Sequence, residues 1–268
     1  MTLTETAVEF ARLSRTKTQA LRDNPLGFGI AAMMAGAYVG VGIILIFSVG
    51  ETVAPSVRSL VMGCSFGIAL TLVIFAGSEL FTGHAMYMTL GWLSGITSLR
   101  DLGRSWAATW AGNLLGCIVL AALFVIGGGG AVLSEGATLL HTVAAKKMSA
   151  PASELVARAM LCNWLVCLAI WTSARTENDA AKCILIFWCL FAFIAAGFEH
   201  SIANMTIFAV ALLADHPDTV TFTGAGWNLL WVTAGNAISG GAVMGLGYWL
   251  VCGRPRLDAD GTVIDAKS

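Results

Sequence analysis

Apolar residues run through this chain in long stretches, and six of them are readable: 28–49, 57–92, 105–127, 152–174, 183–213 and 225–252. A helix needs roughly 20 apolar residues to cross a bilayer, so each run is long enough to span one. The second and fifth are too long for one straight helix, and each is interrupted by polar, helix-unfriendly residues. The interruptions are Gly77-Ser78-Glu79-Leu80-Phe81-Thr82-Gly83-His84 and Gly197-Phe198-Glu199-His200-Ser201-Ile202-Ala203-Asn204-Met205. Ionisable groups inside a span are costly and belong in a cavity or pathway rather than against lipid. Two broken membrane helices facing each other predict a channel or transporter.

The landmarks repeat in order. Gly77-Ser78-Glu79 answers Gly197-Phe198-Glu199 at an offset of 120 residues, and Ala111-Gly112-Asn113 answers Ala234-Gly235-Asn236 at 123. Six spans split into two halves of three, and an odd number reverses the direction in which the second half enters the membrane. The expectation is an all-α integral membrane protein with an inverted 3+3 repeat, its substrate path near the midplane where the breaks in spans 2 and 5 meet. Small residues stripe span 1 (Ala31, Ala32, Ala35, Gly36, Gly40, Gly42) and span 6 (Gly235, Gly240, Gly241, Gly245, Gly247). Close helix approach in lipid needs such residues, either within one subunit or between subunits.

Composition agrees with lipid as the solvent. Of 268 residues 57% are hydrophobic and only 12% charged, with a mean hydropathy of +0.79; a soluble domain of this length would carry more charge. Residues 1–27 are read as a cytoplasmic amphipathic helix, with Val8, Phe10, Ala11 and Leu13 as its apolar residues. They lack the compact apolar core of a cleavable signal peptide. Residues 28–252 form the membrane domain, and 253–268 a polar, mobile cytoplasmic tail. Lys and Arg set orientation. The N-terminal segment, the loops with Arg100/Arg104 and Arg175/Lys182, and the tail with Arg254, Arg256 and Lys267 hold 11 of the 15. Both termini are therefore expected in the cytoplasm. The seven cysteines form no CxxC and no His/Cys cluster with metal spacing, so neither disulfide nor metal is implied.

Several side chains are candidates for the pathway. His200 lies in the break of span 5 with Asn204 one turn on; it is a pore group or a histidine bonded to a backbone carbonyl. Thr82 adds a hydroxyl in the other break, and His84, at its far end, reads as a supporting or surface group. Half-helix N-termini aimed at the midplane suit a small anion. Glu79 and Glu199 are read as structural supports that cap exposed helix-end N–H groups, because a bare carboxylate in the path would repel an anion. Asn163 glues helices or donates to substrate. Lys146 and Lys147, at the mouth of span 4, attract anions or are solvated loop charges. Phe66, Leu70, Leu80, Phe81, Val166 and Phe193 are near the breaks, where apolar side chains form constrictions.

Gly77-Ser-Glu-Leu-Phe-Thr82, Cys162-Asn-Trp164, Gly197-Phe-Glu-His-Ser-Ile-Ala-Asn-Met205 and Asn24-Pro-Leu-Gly-Phe28 together resemble the formate/nitrite transporter family, over essentially residues 5–252. Ala35-Gly-Ala-Tyr-Val-Gly40, Gly42-Ile-Ile-Leu-Ile-Phe47 and Asn228-Leu-Leu-Trp-Val-Thr233 look most like its bacterial nitrite channels. The resemblance implies an aquaporin-like fold and a homopentamer in the bacterial inner membrane, with one pore per protomer and no cofactor. It places His200 as the central pore histidine, Thr82 on the loop that breaks span 2, Asn163 and Asn204 as polar pore residues, and Lys147 in a vestibule. Phe66, Leu70, Leu80, Val166 and Phe193 match residues in or beside two hydrophobic constrictions.

The function expected is passage of a small weak-acid anion, nitrite first, with formate or hydrosulfide as alternatives. An anion in an apolar slit meets a large desolvation cost and its neutral acid little, so protonation at or near His200 would lower the barrier. A desolvated imidazole resists holding a proton, which leaves a proton from bulk water as the other route. A neutral-solute channel for water or ammonia fits six spans, but the paired Asn-Pro-Ala boxes of aquaporins are missing. An enzyme would need a cofactor or metal constellation that four scattered histidines do not provide. Nucleic acid is not an expected partner.

Overall fold

A computed structural model describes residues 1–258 and 260–265; Ala259 and 266–268, including Lys267 of the basic tail, lie outside the described residues. The protein is mostly helical. The elements are α1 (Leu3–Asp23), α2 (Pro25–Thr52), α3 (Pro55–Ser65), α4 (Ile68–Phe75), α5 (Phe81–Leu93), α6 (Leu99–Ile126), α7 (Leu139–Met148), α8 (Ala152–Ser173), α9 (Asp179–Ala195), α10 (Ser201–Leu213), α11 (Phe222–Ile238) and α12 (Gly247–Val251). Among the described residues, five stretches are long and apolar enough to cross a membrane: Pro25–Thr52, Pro55–Phe75, Leu99–Ile126, Ala152–Ser173 and Phe222–Val251. The fifth run, 183–213, divides into α9 and α10, each too short alone.

Boundaries follow backbone chemistry more than hydropathy. Thr2 and Glu5 form a capping box that starts α1. Asn24 ends α1 and caps α2 through Gly27 N–H, with Pro25 at the first helical position. Gly77 and Gly197 take φ of +73° and +72° at the ends of α4 and α9, a region open to glycine. Two interruptions go beyond the sequence reading. Run 57–92 also turns at Phe66-Gly67, giving three helices instead of two. In run 225–252, Ser239–Leu246 is a π-helical stretch between α11 and α12. It packs on α5, and Gly240 sits so close to Ala85 and Asn163 that a Cβ would meet both.

Small residues of span 1 pack within the subunit. A Cβ on Gly36 would overlap the backbone of Asn113, and one on Gly116 the carbonyl of Met33, so α2 and α6 approach at backbone distance. Helix α1 lies against the body: Phe10 stacks between Tyr87 and Trp171 at centroid distances of 6.2 and 5.6 Å. Of the tail read as mobile, residues 253–258 and 260–265 are described, and part of them is paired. Arg256–Leu257 and Val263–Asp265 pair as antiparallel strands β1 and β2. Leu257 is buried against Val8 and Ala11, its N–H donates to Ser94 O at 2.9 Å, and Arg12 Nε donates to Gly261 O at 2.9 Å. An apolar side chain at 257 gives this short polar segment something to bury.

Candidate functional site

The two breaks are built alike. After the positive-φ glycine, Ser78 N–H donates to Val73 O and Phe198 N–H to Phe193 O. Glu79 N–H donates to Ala31 O, and Glu199 N–H to Arg158 O. The next helices, α5 and α10, start at Phe81 and Ser201 with N–H groups that need acceptors. Asn113 Oδ1 accepts from Phe81 N–H at 2.9 Å, while its Nδ2 donates to Ala32 O and Glu79 O. Asn236 Oδ1 accepts from Ser201 N–H at 2.9 Å, and its Nδ2 donates to Ala159 O and Glu199 O. One asparagine thus closes each break with three bonds.

This corrects the expected role of the two glutamates. Their carboxylates do not cap the helices; they pair with lysines. Glu79 Oε1 is 2.6 Å from Lys17 Nζ of α1, and Glu199 Oε1 is 2.9 Å from Lys147 Nζ of α7. The second oxygens bind a side chain one turn on, His84 Nε2 at 2.8 Å and Asn204 Nδ2 at 2.6 Å. Beyond these, His84 Nδ1 meets Ser105 Oγ at 2.6 Å and Asn204 Nδ2 donates to Asn228 Oδ1 at 2.9 Å. His84 is fully buried, not a surface group.

Three cavities lie in series. One of about 350 Å³ is lined by Lys147, Phe193, His200 and Asn204. A second, of about 10 Å³, has room for no more than a single water and is enclosed by Phe66, Leu70, Leu80, Val166, Phe193 and His200. A third, of about 170 Å³, is lined by Lys17, Leu70, Leu80, Gly83 and Tyr87. Phe193 and His200 border the first two, Leu70 and Leu80 the last two. Two vestibules, each with a lysine, therefore meet at a narrow apolar waist. Phe66 and Phe193 pack edge-to-face there at 5.4 Å, and Phe193 stacks on the His200 ring at 6.0 Å.

His200 is the one polar side chain lining the waist. Its Nδ1 accepts from Ala203 N–H at 3.1 Å as the cap of α10, and its Nε2 lies 3.2 Å from Thr82 Oγ1. With Nδ1 accepting, the neutral ring carries its proton on Nε2 and donates to Thr82, whose own hydroxyl proton is free to point elsewhere. Thr82 and His200 come together across 118 residues of sequence. Other expected site residues fall outside the path. Asn163 is buried and lines none of the three cavities; its Nδ2 donates to Asn236 O and Thr82 O, the gluing alternative. Phe81 packs edge-on against Trp106 at 6.1 Å, away from the waist. Lys146 is exposed, whereas Lys147 lines the vestibule.

Sequence reasoning missed Lys17, Ser105 and Asn228 as site residues, and took Asn113 and Asn236 only as repeat landmarks. The similar spacing of those asparagines from the breaks, 34 residues from Glu79 and 37 from Glu199, was the available signal. Lys17 lies 62 residues from its partner and gave none.

The sequence profile described as "Formate/nitrite transporter" matches residues 5–250. The chain is 54% identical to "Nitrite transporter NirC" of Escherichia coli (strain K12), over 92% of this chain and 90% of that protein. It is 31% identical to "Formate channel BtFdhC" of Bacillus thuringiensis, over 82% of this chain and 85% of the relative. Among solved structures, an "FNT family ion channel" superposes with a TM-score of 0.90 at 52% identity, covering 92% of this chain and 99% of that one. A "Pentameric formate channel with formate bound" superposes at 0.71 with 26% identity, covering 84% and 96%. The chain belongs to the formate/nitrite transporter family.

Proposed function

We propose that this protein passes nitrite, as a small weak-acid anion, across the bacterial inner membrane through one pore in each protomer of a homopentamer. The observation that carries the reading is the path itself: two lysine-bearing vestibules joined by an apolar waist whose one polar lining side chain, among the described residues, is His200, with Thr82 bonded behind it. The matched bonding of Asn113 and Asn236 supports six spans arranged as an inverted 3+3 repeat, with α4/α5 and α9/α10 as the broken spans. The basic residues in the termini support a cytoplasmic location for both. Formate is the second substrate to test, because one structural neighbour is a formate channel with formate bound.

Lys147 and Lys17 raise the anion concentration at the two mouths while each stays paired with a glutamate, so neither mouth holds the anion tightly. At the waist the anion would lose its hydration shell, and an apolar slit offers little in return. Protonation to the neutral acid removes most of that barrier. His200 acts as a fixed neutral donor through Nε2, because a proton on Nδ1 would face the Ala203 N–H that now bonds there. The proton then arrives from bulk water through the vestibule.

The test is uptake of nitrite, formate, lactate and chloride into proteoliposomes across an imposed pH gradient. Nitrite preferred over formate, with flux rising as the outside is acidified, is the expected result. Chloride flux equal to nitrite, or flux indifferent to the gradient, overturns the reading. His200→Asn keeps a cap acceptor for Ala203 and should lower flux about tenfold while leaving proton-to-anion stoichiometry intact. Loss of coupling in that variant would make His200 the proton carrier.

A further inference from the structure

The two vestibule networks run in the same order, from lysine to glutamate to a side chain five residues on and then to a polar group of the following span, but their last two members differ in kind. On the α7 side the chain runs Lys147–Glu199–Asn204–Asn228; on the α1 side it runs Lys17–Glu79–His84–Ser105. Asn204 and His84 each stand five residues after their glutamate and each bond its free oxygen. Asparagine cannot titrate, and histidine can.

We propose that His84 is a positioning residue that makes anion capture at the α1-side vestibule depend on the pH of that side, a dependence the α7 side lacks. This rests on the reading of the chain as an anion channel. The ring is fully buried, and its two nitrogens have different partners. Glu79 can only accept, so Nε2 carries a proton in either state. Ser105 has a hydroxyl, which can donate to a bare Nδ1 or accept from a protonated one. Both states of the ring therefore fit without moving it. Charged and titratable groups facing the ring are Glu79 from the linker, Lys17 beyond it from α1, and Tyr87 from α5. α6 presents the neutral Ser105 and α2 the edge of Phe28 at 5.9 Å.

With a neutral imidazole, Lys17, Glu79 and His84 sum to zero charge, and Glu79 is shared between one cation and one neutral donor. With a protonated imidazole the sum is +1, and Glu79 divides its attraction between two cations. Lys17, which lines the vestibule, is then less neutralised towards an incoming anion. One unit charge within a Debye length of the anion changes its occupancy by about two- to tenfold. The matched cluster of Lys147, Glu199 and Asn204 has an amide where this one has an imidazole, so it gains no such charge.

The experiment measures nitrite flux in proteoliposomes of uniform orientation, with the pH of one face varied at a time. The expected result is a KM for nitrite on the α1 face that falls about two- to tenfold on acidification, with a flat KM on the α7 face. His84→Asn, which makes the α1 side like its counterpart, should flatten the α1-face profile. Ser105→Ala, which retains the histidine, should move the midpoint of that profile. An unchanged α1-face profile in assembled His84→Asn protein overturns the assignment. If that variant does not assemble, an unmoved midpoint in Ser105→Ala overturns it instead. A wild-type protein that passes nitrite with equal pH dependence of KM on both faces overturns it too. No flux from either face fails the channel reading, and the His84 assignment with it.

Discussion

Asn113 and Asn236 each satisfy two backbone groups that a broken helix would otherwise leave bare in an apolar interior, and each ties the break to a carbonyl of a neighbouring helix, Ala32 of α2 or Ala159 of α8. A buried unpaired backbone group costs about 1–3 kcal/mol. Asn113→Ala and Asn236→Ala should each destabilise the protein by about 2–6 kcal/mol, and by similar amounts because the bonds correspond. Thermal unfolding of purified protein in one detergent checks both the size and the equality. Lysine 147 offers a second contrast. Lys147→Gln should reduce nitrite uptake several-fold at low substrate, whereas exposed Lys146→Gln should not; uptake at subsaturating nitrite separates them. His200, Thr82 and the two glutamates were legible in sequence because ionisable or polar residues stand out in apolar runs. What those residues bond to was not. Lys17 with Glu79, and His84 with Ser105, meet only through tertiary packing, and nothing local marks the partners.

Helix α1 reaches the pathway through a contact as tight as those inside the membrane body. A Cβ on Gly91 of α5 would overlap Ser14 Oγ of α1. Gly91→Val should therefore lift α1, separate Lys17 from Glu79 and expose α1 to protease, with nitrite flux falling in proportion. Limited proteolysis alongside uptake tests this, and an unchanged cleavage pattern with full flux would contradict it. Removing residues 255–268 should also loosen α1, since Leu257 leaves Val8 and Ala11 uncovered. The apolar runs themselves were plain in the sequence. The turn at Phe66-Gly67 and the π-helical stretch were not, because helices that are apolar on every face have no amphipathic period from which a change of phase could be read. Only glycine and proline mark such points, and the chain holds 30 glycines. The hairpin was invisible for the opposite reason: two very short strands in a polar segment leave no pattern to find.

Large apolar side chains remain uncovered on the single chain, among them Ile126, Leu123, Trp188 and Ile184. In a membrane protein such a surface meets lipid or another copy. Native mass spectrometry should give five chains, as the proposed homopentamer requires; a stable monomer active in liposomes would contradict it. The waist carries a further consequence. The cavity between Leu70, Leu80 and Phe193 has room for at most one water, so the proposed mechanism requires that no unbroken file of hydrogen-bonded water carry protons between the vestibules. In that mechanism protons cross only as part of a neutral acid. Liposomes packed with this protein should hold a pH gradient, read with an internal dye, until nitrite is added, and then lose it quickly. A bacterium could then carry many copies in its energy-transducing membrane at no standing drain on its proton-motive force.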